Sequence, residues 1–109
     1  GHPPALLMRQ GGEVEFVAMD SDPLGIFQAA VVQRRDFKLR AGDRLLLYSD
    51  GVIEGQPGSK RRAGQDQLAA AAADCRSGNL SADLAKLRAA VVPEVSADDV
   101  LLLMTEVGV

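Results

Sequence analysis

The chain has 109 residues, of which 47% are apolar and 25% charged, with a formal net charge of −3. This composition is typical of one globular, soluble domain and excludes a disordered chain. The negative charge gives no reason to expect a nucleic-acid partner, whose phosphates need a basic face. No apolar run approaches the ~20 residues of a membrane span, so no membrane association is expected. The single cysteine, Cys75, excludes an intrachain disulfide and favours a reducing, cytoplasmic location.

The first third of the chain has strand character. The runs Ala5 to Arg9 and Glu13 to Ala18 are separated by Gln10-Gly11-Gly12, and Gly-Gly supplies the positive φ angles of a tight hairpin. A loop is expected over residues 19–25, where Pro and Gly punctuate the chain. A further strand is predicted over Ala29 to Leu39, before a turn that ends at Asp43.

Two later strands carry apolar residues on both faces, which predicts that they are central and buried. The first is Arg44 to Tyr48, with three consecutive leucines, and it leads into a loop at Ser49-Asp50-Gly51. The second is Val100 to Met104, which follows Asp98-Asp99. Both strands are therefore joined at one end to acidic residues.

Two helices are predicted between these strands. The alanine-rich segment Gln65 to Cys75 favours helix, and we interpret Cys75 as a small packed or half-exposed residue rather than a nucleophile. Ala82 to Val92 has an apolar stripe at helical spacing, with Ser81 as its N-cap. Gly55 to Gly64 is expected to be a flexible connector. Its basic cluster, Lys60-Arg61-Arg62, fits a solvated loop or, alternatively, a contact for an anionic partner. Strands followed by helices indicate an α+β domain.

The acidic residues are the main candidates for chemistry. If the two buried strands are antiparallel neighbours, Asp50 and Asp98-Asp99 meet at one edge of the sheet. Carboxylates held close repel one another unless a cation such as Mg²⁺ or Mn²⁺ neutralises them. The lone His2 and Cys75 offer no zinc-type cluster. On spacing alone, ordinary turn chemistry at Asp-Gly and at Asp98 is the alternative.

Four segments in order carry a resemblance to a known family. They are Gly1-His2-Pro3-Pro4-Ala5-Leu6-Leu7, Pro23-Leu24-Gly25-Ile26, Gly42 to Glu54, and Asp98 to Leu103. Together they resemble the C-terminal half of the PPM-type metal-dependent protein phosphatases, specifically the bacterial stage II sporulation E (SpoIIE) type. The resemblance covers nearly the whole chain, so residues 1–109 are expected to form the C-terminal portion of such a domain.

The resemblance implies a PPM-type antiparallel β-sandwich flanked by helices, here as a partial domain, with two Mn²⁺ or Mg²⁺ ions at one edge. Asp50 matches the family's Asp-Gly motif, and Asp98 matches the first residue of its acidic pair, with Asp99 second. The ions activate a water for attack on phosphorus, so no catalytic residue is expected beyond the metal ligands. His2 looks structural, with a ligand or general-acid role as the alternative, and Glu54 reads as a surface or outer-sphere residue.

The chain also departs from the family pattern. The family's first half, with its earliest metal-site motifs, is missing, so the chain is expected to be a piece of a longer protein or to pair with a second copy as a homodimer. Relatives often carry Thr at the position of Leu101, and an acidic-aromatic-Gly segment where Ser59 to Gly64 stands.

The implied function is a protein serine/threonine phosphatase, inactive as this fragment alone. Its implied substrate is a phosphorylated bacterial signalling protein such as an anti-sigma-factor antagonist. The alternative is a degenerate, non-catalytic regulatory or adaptor domain of a response regulator.

Overall fold

A computed structural model of the chain describes residues 3–17, 36–53, 61–92 and 100–108. These residues form an α+β arrangement, as the sequence predicts, and the arrangement has four strands and three helices. In chain order the elements are β1 (Ala5–Met8), β2 (Val14–Val17), β3 (Arg44–Tyr48), α1 (Asp50–Ile53), α2 (Arg61–Asp74), α3 (Leu80–Val91) and β4 (Leu102–Glu106). Within the described ranges, none of the helices has the length and apolarity needed to cross a bilayer.

The four strands form one antiparallel sheet in the order β2-β1-β3-β4. The predicted hairpin is confirmed: β1 and β2 are joined by a turn in which Gly12 has a φ of 104° and its amide donates to the Arg9 carbonyl at 3.0 Å. Leu46 of β3 lies opposite Leu6 of β1 and opposite Met104 of β4. The strand β3 is therefore an inner strand, hydrogen-bonded on both sides.

The helices cover one face of this sheet, and the core lies between the two layers. Alternate residues of each strand point to this face because side chains alternate along a strand. The core residues from the strands are Leu6, Met8, Leu46, Tyr48 and Met104, and those from the helices include Val52, Ile53, Leu68, Ala72, Leu87 and Val91. The apolar stripe predicted for the last helix is thereby confirmed as core.

The opposite face of the sheet is less covered than the sequence predicts. Leu47 is 37% exposed and Leu103 is 51% exposed, although Leu7, on the same face by alternation, is buried. The prediction that β3 and β4 are buried on both faces is therefore wrong for the described residues, because the helices form a layer on one side only. The strand predicted to end at Leu39 is also wrong where it can be checked. Residues 36–39 are irregular, and residues 29–35 lie outside the described part.

Three further element boundaries differ from prediction. The helix α2 begins at Arg61, so residues 61–64 are helical rather than part of a flexible connector. The N-cap of α3 is Asn79 and not Ser81, because the Asn79 side chain accepts the Ala82 amide at 2.9 Å. The last strand is displaced as well, since β4 begins at Leu102.

A buried carboxylate fixes the beginning of β3. Asp43 is 2% exposed, and its two oxygens accept the amides of Arg40 and Gln10 and the Arg9 guanidinium, each at 2.9 Å. The backbone hydrogen bonds from Arg40 and Gln10, followed by the Arg9 contact, hold the pKa of Asp43 at about 2 against the opposing effect of burial. The ionised carboxylate thus ties the hairpin turn to the segment that leads into β3.

The next residue, Arg44, joins the sheet to the helices. Its Nη1 donates to Asp83 Oδ2 at 2.7 Å and to the Cys75 carbonyl at 3.2 Å, and its Nε donates to Glu106 Oε1 at 3.0 Å. Burial alone raises the pKa of Asp83. Hydrogen bonds from the Ser77 amide, from Arg44 and from the Ser77 hydroxyl outweigh burial and lower that pKa to about 2. One buried guanidinium therefore connects β3 to β4, to the end of α2 and to α3.

Replacing the acidic partner of Arg44 tests this connection. Asp83→Asn retains the size of the side chain and removes its charge. We expect the free energy of unfolding at pH 7 to fall by about 3 kcal/mol, the low end for a broken buried pair, because Glu106 and the Cys75 carbonyl still accept from Arg44. Urea denaturation measures the change, and Asp74→Asn, at an exposed position of α2, is the control.

The same comparison has a defined pH dependence. Since the folded-state pKa of Asp83 lies below its ordinary value, its stabilisation is fully present above about pH 4 and is lost as the pH falls through about 2. The difference between the wild type and Asp83→Asn should therefore shrink over that window. A difference that stays constant down to pH 2 would contradict the ion pair.

Candidate metal centre

Asp50 lies where the inner strand β3 gives way to α1. Tyr48, the last strand residue, is buried, whereas Asp50 is partly exposed. The sequence predicted a loop here, but Asp50 is instead the first residue of the short helix α1. The turn closes because the Val52 amide donates to the Ser49 carbonyl at 3.0 Å. Asp50 therefore lies at the end of β3, on a backbone that is held by the strand before it and by the first turn of α1 after it.

The start of β4 lies directly beside this edge. The antiparallel pairing of β3 with β4, on which the sequence argument depended, is observed, with Tyr48 opposite Leu102. One residue further, the Ser49 amide donates to the Leu101 carbonyl at 3.0 Å, and the Leu101 amide donates to Ser49 Oγ at 2.9 Å. The chain that leaves β3 and the chain that enters β4 therefore remain joined past the last strand pair.

The other predicted site residues cannot be placed in this geometry. Asp98 and Asp99 lie outside the described residues, as do His2 and Glu54. Among residues 3–17, 36–53, 61–92 and 100–108, no three His, Cys, Asp or Glu side chains form a group able to hold a metal ion. Asp50 offers the oxygen donor that Mg²⁺ and Mn²⁺ prefer, so its chemistry fits the implied ions, but a single carboxylate does not make a complete site.

The helix α1 is held by close packing against α2. Val52 and Ile53 are buried, and a Cβ placed on Gly64 of α2 would lie 2.0 Å from the Ile53 carbonyl oxygen. Real Cβ atoms do not approach a backbone oxygen so closely, so only glycine allows α2 to come this near. The position of Asp50, three residues before Ile53, thus depends on a glycine in another helix.

Cys75 does not contribute chemistry to this region. It is 3% exposed, directly after the end of α2, and packs in the core. Burial raises the pKa of its thiol, which disfavours the reactive thiolate. The interpretation of Cys75 as a packed residue is therefore confirmed.

Sequence reasoning missed the residues that hold the site in place. It assigned Asp43 to a turn and gave no role to Arg44, Asp83 or the Ser49 hydroxyl. One signal was available: Asp43-Arg44 stands at the start of an apolar strand, where buried charges require partners. The identity of those partners was not available, because Asp83 is 39 residues from Arg44.

Comparison with known proteins places this arrangement in a family. The family model described as stage II sporulation protein E (SpoIIE) matches residues 1–108. The chain therefore belongs to the SpoIIE family, and the resemblance seen in the sequence is confirmed.

Two relatives illustrate the extent of the match. The chain is 37% identical over 54 residues to the phosphoserine phosphatase RsbP of Bacillus subtilis (strain 168), which covers 50% of this chain and 13% of that protein. It also matches the crystal structure of the RsbU and RsbW domains of Rv1364c from Mycobacterium tuberculosis, with a TM-score of 0.72 and 32% identity. That alignment covers 99% of this chain and 32% of the other. The chain thus spans a minor part of the length of both relatives.

Substituting Gly64 tests whether α2 positions α1. In an unconstrained helix, Gly→Ala stabilises by up to about 1 kcal/mol. Here we expect Gly64→Ala to destabilise the protein by about 2 kcal/mol, because the methyl group overpacks against the Ile53 carbonyl. Urea denaturation measures the sign, with Gly11→Ala, which meets no atom within 4 Å, as the control. Stabilisation by Gly64→Ala would show that the two helices are not in this contact.

Proposed function

We propose that this chain is the C-terminal portion of a SpoIIE-type protein serine/threonine phosphatase domain, and that Asp50, Asp98 and Asp99 bind Mn²⁺ or Mg²⁺. The observation that supports this most strongly is the link between Ser49 and Leu101. Asp99 is two residues from Leu101, and a chain of two residues spans at most about 7 Å. Asp98 precedes Asp99 directly in the sequence, and this nearness along the chain supports assigning the acidic pair to the same site as Asp50.

The chemistry of these side chains suits a metal-dependent hydrolysis. Carboxylates gathered at one edge repel one another, and a divalent cation relieves the repulsion. Ions held by these carboxylates would supply charge stabilisation for a bound phosphate and would activate a water for its hydrolysis. Asp50 contributes a ligand on an anchored backbone, so less ordering is needed when an ion binds. The buried thiol of Cys75 is not suited to act as a nucleophile instead.

The rest of the centre is supplied by the remainder of the domain. Leu47 and Leu103 are exposed on the sheet face opposite the helices, an arrangement suited to a second layer. The matched relatives are much longer than this chain. We therefore assign the missing ligands and the second sheet to a part of the domain outside residues 1–109, and we expect the isolated chain to be inactive.

The substrate is a phosphoserine or phosphothreonine side chain on another protein. This assignment follows the family and the relative RsbP, which is described as a phosphoserine phosphatase. A bacterial signalling protein such as an anti-sigma-factor antagonist is the proposed target, with the reaction in the cytoplasm. Retention of Asp50 at the strand edge favours this enzymatic role over an adaptor role.

Removing the Asp50 charge tests the proposal. In the full-length protein that carries this chain, Asp50→Asn should lower Mn²⁺-dependent hydrolysis of a phosphoserine peptide by at least about 100-fold. Loss of a direct ligand should exceed the effect of outer contacts, which are typically worth 10–100-fold.

Asp66→Asn, at an exposed position of α2, is the matched control and should leave the rate unchanged. Wild-type activity that survives in Asp50→Asn would refute the metal assignment. A wild-type protein with no phosphatase activity in Mn²⁺ would point to the adaptor alternative.

A further inference from the structure

Ser49 uses all of its polar groups to join three parts of the chain. Its amide donates to the Leu101 carbonyl at 3.0 Å, and its carbonyl accepts the Val52 amide at 3.0 Å. Its hydroxyl oxygen accepts the Leu101 amide at 2.9 Å. Ser49 therefore connects the end of β3, the first turn of α1 and the entry to β4, immediately before Asp50.

The Ser49 hydroxyl accepts a hydrogen bond that the Ser49 carbonyl does not accept here. The Ser49 carbonyl is directed into the first turn of α1, where it accepts the Val52 amide. The Leu101 amide instead bonds to a side-chain oxygen. The Ser49 hydroxyl thus adds one further hydrogen bond to the β3–β4 pairing. The backbone at the same residue is then able to begin a helix. Alanine at this position provides no acceptor.

From this geometry we infer that Ser49 is a positioning residue, whose hydroxyl fixes the entry of β4 relative to Asp50 and so prepares the metal centre. The inference rests on the proposed function, because it concerns ligand geometry at that centre. Ser49 touches neither ion nor substrate in this account. Without the hydroxyl bond, the two chain segments must be ordered when the metal binds, and this ordering weakens binding.

The test is Mn²⁺ binding by the full-length protein that carries this chain, measured from the electron paramagnetic resonance signal of free Mn²⁺. Ser49→Ala should raise the dissociation constant about 10-fold, as is typical when a contact that orients a metal ligand is lost. Ser49→Thr retains the hydroxyl and should restore affinity to within about 2-fold of the wild type, since Thr offers the same acceptor. Ser81→Ala, the same substitution at an exposed position of α3, should have no effect.

Thermal unfolding in EDTA separates positioning from general stability. The inference predicts that Ser49→Ala shifts the metal-free melting temperature by no more than a few degrees, while the loss of affinity persists well below that temperature. Loss of affinity that follows a large drop in metal-free stability, or that Ser49→Thr fails to rescue, would overturn the inference.

Asp50→Asn distinguishes failure of the positioning role of Ser49 from failure of the proposed metal centre. If Asp50→Asn weakens Mn²⁺ binding and Ser49→Ala does not, only the positioning role is refuted. If neither substitution changes the dissociation constant, the metal centre and the positioning role are both refuted.

Discussion

The position of Asp50 depends on buried charges at the other end of the same strand. Asp43 receives three donors at 2.9 Å, and Arg44 is paired with Asp83 at 2.7 Å. A slip of β3 by one residue would turn Arg44 to the opposite face of the sheet and leave Asp83 buried without its partner. The buried pairs therefore fix the register of β3. Because β3 is only five residues long, the register fixes where Asp50 emerges.

The two ends of β3 consequently have different properties. At the start of β3, the buried charges are paired with one another, and the hydrogen bonds to Asp43 hold the neighbouring loops in place. At its end, Ser49 holds the entry to β4, while Asp50 remains partly exposed beside it. The packing of Gly64 against Ile53 then fixes α1 from the side of the helical layer. A carboxylate presented in this way is suited to binding a cation that a SpoIIE-type phosphatase requires.

Local sequence patterns predicted the helices and strands more accurately than they predicted which faces of those elements are covered. Glycine pairs and alternation identified the hairpin, and helical spacing identified Leu87 and Val91 as core. The run of leucines makes both faces of β3 apolar. It could not show which face the helices cover, because the sequence looks the same whether one face or both faces are covered. Ser81 and Asn79 are both good N-cap residues, and the structure has Asn79 in that role, with its side chain accepting the Ala82 amide. The position of Asp50 near the end of a strand could be predicted from the sequence pattern. The role inferred for Ser49 required its contact with Leu101, 52 residues away.

The most direct test of the account asks where Mn²⁺ binds. In the full-length protein, substoichiometric Mn²⁺ should selectively broaden the amide resonances of residues 49–53 and of Leu101 and Leu102 by paramagnetic relaxation. The hairpin turn at residues 10–12 lies at the other end of β3, about 17 Å away for a five-residue strand, and its resonances should be much less affected. Asp50→Asn should abolish the selective effect. Broadening centred on the hairpin turn, or selective broadening that persists in Asp50→Asn, would contradict a metal centre at the end of β3.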